Sequence, residues 1–99
     1  MRNETELVAP TIHMNGTSKE RLLEELNNCW SACDDAICAI RSAAPNGRDY
    51  YINPGSLEAA LDQHLNRMKR VSDVQDELGK LIEMVDAQGS TRQHATSRG

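Results

Sequence analysis

Two runs of apolar residues, each repeating at alternating spacings of three and four, constrain the fold of this chain more than any other feature. In the first, Leu23, Leu26, Trp30, Cys33, Ile37, Ile40 and Ala44 recur with the period of one helix face. In the second, Leu57, Leu61, His64, Met68, Val71, Gln75, Leu78, Ile82 and Val85 do the same. A further column lies beside each run: Leu22, Cys29, Ala36 and Ala43 in the first, and Ala60, Val74 and Leu81, interrupted by Arg67, in the second. Both stripes are therefore wider than a strict two-stranded seam.

Local signals bound the two helices. Thr17-Ser18-Lys19-Glu20 matches a capping box, in which the Thr17 hydroxyl and the Glu20 carboxylate satisfy backbone N–H groups reciprocally. Pro45 disfavours helical geometry at Ala44, and Asn46-Gly47 tolerates positive φ, so the first helix spans about 18–44. The second follows Asn53-Pro54-Gly55-Ser56, with Asn53 or Ser56 as candidate cap, and spans about 57–87. Gly79 beside this seam costs about 1 kcal/mol relative to alanine; a close backbone approach accounts for it. Residues 1–16 read as an extended N-terminal arm, 17–87 as a helical hairpin domain with its connection at 45–56, and 88–99 as a disordered tail lacking large apolar residues.

The expected fold is all-α, an antiparallel two-helix hairpin. One hairpin buries one seam, and a chain of 99 residues has little surplus over chain entropy. Wide stripes then imply that hairpins associate into an oligomeric helical bundle, most simply a dimer of four helices. The arm, with Leu7, Val8, Ile12 and Met14, is too short to fold alone and must dock on its own hairpin or on a neighbour's.

Several function classes recede on composition. No apolar run approaches the ~20 residues of a membrane span, and Met1 to Glu6 lacks the opening of a secretory signal, so no membrane partner and a cytoplasmic location are expected. A net charge of -4 argues against long nucleic acid as partner, and Arg67, Lys69 and Arg70, flanked by acids, read as a solvated helix surface. The odd number of cysteines, three within one helical run, implies reduced thiols. Cys29 and Cys33 share a helix face, and antiparallel pairing is expected to bring His64 near Cys33, yet zinc-knuckle spacing is lacking. The cysteines read as small apolar fillers, and His64 and Gln75 as buried polar groups that set register or oligomer state. Asp34 and Asp35 diverge by about 100° on a helix and make no facing pair. With no nucleophile elbow, phosphate loop or zincin motif in the sequence, no enzyme, cofactor or metal is expected.

Two polar stretches remain as candidates for binding. Asn15 and Thr17 lie in a glycine-containing entry to the first helix, where exposed N–H groups favour an anion, unless an ordinary cap already uses those donors. In Pro45-Asn46-Gly47-Arg48-Asp49-Tyr50-Tyr51, Gly47 allows a tight bend, and Arg48 offers a planar fork for phosphate. Tyr50 and Tyr51 offer faces for stacking on a base, with Asn46 beside them. Structurally, the same residues would serve if one tyrosine plugs the open end of the core, the other meets a partner hairpin, and Arg48 pairs with Asp49 or a helix end. The two stretches sit about 40 Å apart along one helix, so they build one site only if the arm of one subunit meets the loop of another.

The segments Thr11-Ile12-His13-Met14-Asn15-Gly16-Thr17-Ser18 and Pro45-Asn46-Gly47-Arg48-Asp49-Tyr50-Tyr51, each followed by a helix, resemble small proteins encoded by bacteriophages and prophages, over residues 11–86. The resemblance implies an accessory protein that acts on its host by binding. By analogy with helical oligomers that sequester nucleotide signals of bacterial immunity, it implies a nucleotide-like ligand. The alternative is an interaction module that inhibits or scaffolds a host or phage protein.

Overall fold

The computed structural model describes residues 6–97, with side chains over 6–88. These residues form two helices and no strand: α1, Lys19–Ser42, and α2, Ser56–Ser97, separated by a single 3-10 turn at Gly47–Asp49. Residues 1–5 of the arm and 98–99 of the tail lie outside the described residues.

α1 begins one residue later than the capping box implies. Ser18, extended at φ -65 and ψ 155, is the N-cap, and its Oγ accepts from the N–H of Arg21 at 3.1 Å. The motif slips because Ser18 offers the same hydroxyl one position closer to the apolar run. At the other end Ala43 closes the helix with its N–H directed at the carbonyls of Ala39 and Ile40, and Pro45 follows. Asn46 and Gly47 do not take positive φ; that conformation belongs to Gly55, at φ 86, immediately before α2. Ser56 is the first residue of α2, and its hydroxyl lies 2.8 Å from the C=O of Asn53 and 3.3 Å from that of Tyr50. It thus ties the connection to the helix instead of accepting from the first turn.

α2 continues to Ser97, past the Ala87 boundary expected from the loss of large side chains. Nothing between Gln88 and Ser97 breaks a helix apart from the single Gly89, since no proline occurs there.

The helices run antiparallel, and three contacts fix the register. Lys19 Nζ lies 3.6 Å from Asp86 Oδ1, the Gln75 amide donates to the Trp30 C=O at 3.2 Å, and a Cβ placed on Gly47 would lie 3.8 Å from Leu57. Each advance along α1 is matched, to within about one turn, by an equal retreat along α2, so that Trp30 meets both Gln75 and Gly79. Leu26 therefore stands level with Leu78, Cys33 with Val71, and Ile40 with His64. The expected proximity of His64 to Cys33 does not occur: Val71 takes that level, and His64 stands seven residues away, about 10 Å along the axis.

This register also assigns side chains to the two broad sides of the hairpin. Leu23, Trp30 and Ile37 share a side with Ile82, Gln75 and Met68; Leu22, Cys29 and Ala36 share the other with Leu81, Val74 and Arg67. The Trp30 indole lies against Gly79, where an added Cβ would sit 3.8 Å from Nε1, so a side chain and not a backbone occupies the space that glycine leaves.

Burial is shallow. Val85 is the one fully enclosed apolar side chain among the described residues, and α1 has none. His64 is buried as its seam position implies, whereas Gln75 is half-buried. The remaining seam positions are half-buried, apart from Trp30, Leu61 and Ala44, which are exposed. The radius of gyration of 20.0 Å exceeds the roughly 13 Å of a compact chain of this length, and the long axis reaches 71 Å.

Candidate functional site

The connection between the helices is built by backbone hydrogen bonds around two side-chain anchors. Asn46, extended at φ -114 and ψ 135, accepts from the N–H of Arg48 through Oδ1 at 2.9 Å, which nucleates the 3-10 turn Gly47–Asp49. The N–H of Asp49 donates to Asn46 C=O, that of Tyr50 to Gly47 C=O, and that of Asn53 to Tyr50 C=O. The Ser56 hydroxyl, the second anchor, closes the loop onto α2. A chain of turns so joined presents its side chains in fixed directions.

Those directions divide the two tyrosines. Tyr50 is half-buried, whereas Tyr51 is 77% exposed, as is Ile52 beside it. Arg48 is exposed, and among the described residues its guanidinium forms no ion pair, so neither Asp49 nor a helix end holds it. Asn46 is committed through its Oδ1 to the turn and contributes chiefly by shaping it. Arg48 and Tyr51, three residues apart on one ordered turn, are the groups free to meet a ligand.

At the opposite end, the N–H of Gly16 donates to the His13 C=O at 3.1 Å, and a Cβ on Gly16 would come within 2.7 Å of His13 Nε2. The turn leads to Ser18, and because Ser18 caps α1, Thr17 is released from that task. Asn15 and Thr17 are both exposed. The segment before this turn is pinned to α2 by one side chain. Gln88 Oε1 accepts from the Ile12 N–H at 3.0 Å, and Gln88 Nε2 donates to the Pro10 C=O at 2.7 Å. A primary amide is matched to this task because it carries a donor and an acceptor side by side.

The two groups are not brought together within one chain. α1, 24 residues long, separates them by roughly 36 Å. Sequence reasoning missed Gln88, assigned to the tail, although its position seven residues beyond Leu81 continues that column. It also missed Ile52, an apolar residue beside Tyr51 in a connection.

Elsewhere, a hollow of about 370 Å³ opens along α2, lined by Asp62, Gln63, Asn66, Arg67 and Arg70. All its walls come from one helix, and none of the candidate residues lines it. Lys69, the remaining member of that basic cluster, pairs with Asp73 at 2.9 Å. Among the described residues no three of His, Cys, Asp and Glu converge as metal ligands would, and no helix is long and apolar enough to cross a membrane. Comparison with protein families, with curated proteins and with solved structures finds no match to this chain.

Proposed function

We propose that this chain is a non-catalytic binding protein, active as a homo-oligomeric helical bundle in the cytoplasm, that captures a phosphate-bearing small molecule of the nucleotide class at a subunit boundary. The observation that carries this reading is the exposed Arg48, without an ion pair among the described residues, beside the exposed Tyr51 on an ordered turn. A guanidinium fork and an aromatic face at that spacing suit a phosphate and a base. Asn15 and Thr17 of another subunit would add donors, and Tyr50 and Asn46 would hold the turn. Self-association is supported by the shallow core, with Val85 alone fully enclosed among the apolar side chains of the described residues. The resemblance to small phage proteins suggests the purpose, which is to withhold a nucleotide signal of antiviral immunity from host effectors.

Calorimetry against a panel of cyclic and linear nucleotides tests this. Saturable binding by the wild type, weakened at least about tenfold by Arg48→Ala or Tyr51→Ala with sedimentation unchanged, is the expected result. Silence across the panel refutes the reading. Ile52, as exposed as Tyr51, favours one competitor, an interaction module that inhibits or scaffolds a partner protein. That reading predicts a co-purifying protein lost on Ile52→Ser, with no nucleotide response.

A further inference from the structure

A chain of 11.0 kDa folded as a compact monomer exposes about 5,600 Å². This one exposes 7530 Å², an excess of roughly 1,900 Å². The excess is not spread evenly. On one broad side of the hairpin the segment holding Pro10 and Ile12 lies against Gln88, and the row beyond it, with Val74 48% exposed, is interrupted by the charge of Arg67. On the other side stand Trp30, Ile37, Leu61, Leu65, Met68 and Ile82, of which Trp30 is 40%, Leu61 39% and Leu65 63% exposed.

We infer that a second copy of this chain covers the Trp30–Leu65 side, and that this face, not the Val74 side, is the seam of the proposed self-association, on which the inference rests. The area agrees. From the level of Leu23 to that of Ala44 the face runs about 30 Å, and two helices at ~10 Å spacing make it roughly 600 Å² before side-chain relief is counted. A stable interface takes about 800 Å² from each partner. A second copy presents the same residues to this face, so a two-fold contact sets Trp30, Leu61 and Leu65 of one chain against the same apolar set of the other. The edge of the face on α1 carries both signs, with Asp34 and Arg41 exposed.

Sedimentation equilibrium of the full chain, read beside Trp30 fluorescence, tests the face. Leu65→Glu places a charge where the single hairpin needs no side chain, and it is expected to raise the dissociation constant at least about tenfold. Val74→Glu, at a residue 48% exposed on the opposite side, is the matched control and is expected to change it less than about threefold. Helical circular dichroism confirms folding of each. Should Leu65→Glu fail to fold, dilution of the wild type supplies the answer: Trp30 emission shifts to the red as dimers dissociate. A wild type monomeric at tens of micromolar overturns both the oligomer and the face. A wild-type dimer that ignores Leu65→Glu, yields to Val74→Glu, or dissociates with constant Trp30 emission overturns the face alone.

Discussion

Gly79→Ala is the perturbation whose outcome this structure fixes most closely. Gly79 lies within α2, where glycine costs about 1 kcal/mol relative to alanine through backbone freedom in the unfolded chain. Whether that gain is realised depends on the space around the new methyl. Its nearest neighbours outside the helix backbone would be Trp30 Nε1 at 3.8 Å and Cδ1 at 4.0 Å. Those are ordinary van der Waals distances, so the methyl meets the indole edge without displacing it and adds a few contacts of about 0.1 to 0.2 kcal/mol each. The expected result is a stabilisation of about 1 kcal/mol, which raises Tm by roughly 4–8 °C in a domain of this size. A melt followed by helical circular dichroism measures it, with both proteins at one concentration because the proposed association would make Tm concentration-dependent. Gly79→Leu, whose branches reach into the volume of the indole, should lower Tm and shift Trp30 emission to the red. A fall in Tm with Gly79→Ala would refute the placement of Trp30 over Gly79, since a closer neighbour must then occupy the site.

Three further outcomes follow from single contacts. Val85→Ala removes two methyl groups from the fully enclosed position and should cost about 2 kcal/mol, read as a Tm drop near 10 °C. Ser18→Ala should cost about 1 kcal/mol of stability in urea unfolding, whereas Thr17→Ala should stay within about 0.5 kcal/mol, because only Ser18 accepts from Arg21. Gln88→Leu keeps the apolar stem and deletes both amide contacts, so hydrogen exchange at the Ile12 amide should quicken several-fold while α1 amides keep their protection.

The helical periods are legible in the sequence because a 3.6-residue repeat declares which face is buried whatever it is buried against. Leu26, Ile40, Leu78 and Val85 occupy the seam as their spacing requires. Register is not legible from pattern. A slip of one heptad keeps every apolar residue on its face, and it takes Gln75 at the Trp30 carbonyl and Lys19 near Asp86 to choose among such slips. That is why the pattern points His64 towards Cys33, whereas the structure sets it level with Ile40. The cap slips for a related reason: Thr17 and Ser18 both satisfy the sequence rule, and only geometry decides between neighbours. In the candidate site, the residues at the loop are legible by type, but their division is not. Tyr50 turns inward and Tyr51 outward because Asn46 winds the chain into a 3-10 turn between them and α1. Gln88 escapes notice because it continues the Leu81 column as a polar residue, and a search for apolar periodicity stops at the last large apolar side chain.

The proposed composite site imposes a condition on the proposed dimer that the face alone does not. A two-fold axis lying along the helices brings both tips to the same end, and Asn15 and Thr17 of either chain then remain about 36 Å from any Arg48. An axis across the helices reverses one hairpin, so that each tip lies beside the helix entry of its partner. The nucleotide reading therefore requires the crossed arrangement, and subunit mixing tests it whichever way the axis runs. Arg48→Ala chains alone have two dead tips, and chains carrying Asn15→Ala with Thr17→Ala alone have two dead entries. A mixed dimer holds one intact entry facing one intact tip. Random mixing makes about half the dimers mixed, each with one working site of two, so titration with a nucleotide taken up by the wild type should recover about one quarter of the sites. No recovery on mixing means that the tip and the entry do not meet across subunits, and Arg48 and Tyr51 must then bind without Asn15 and Thr17.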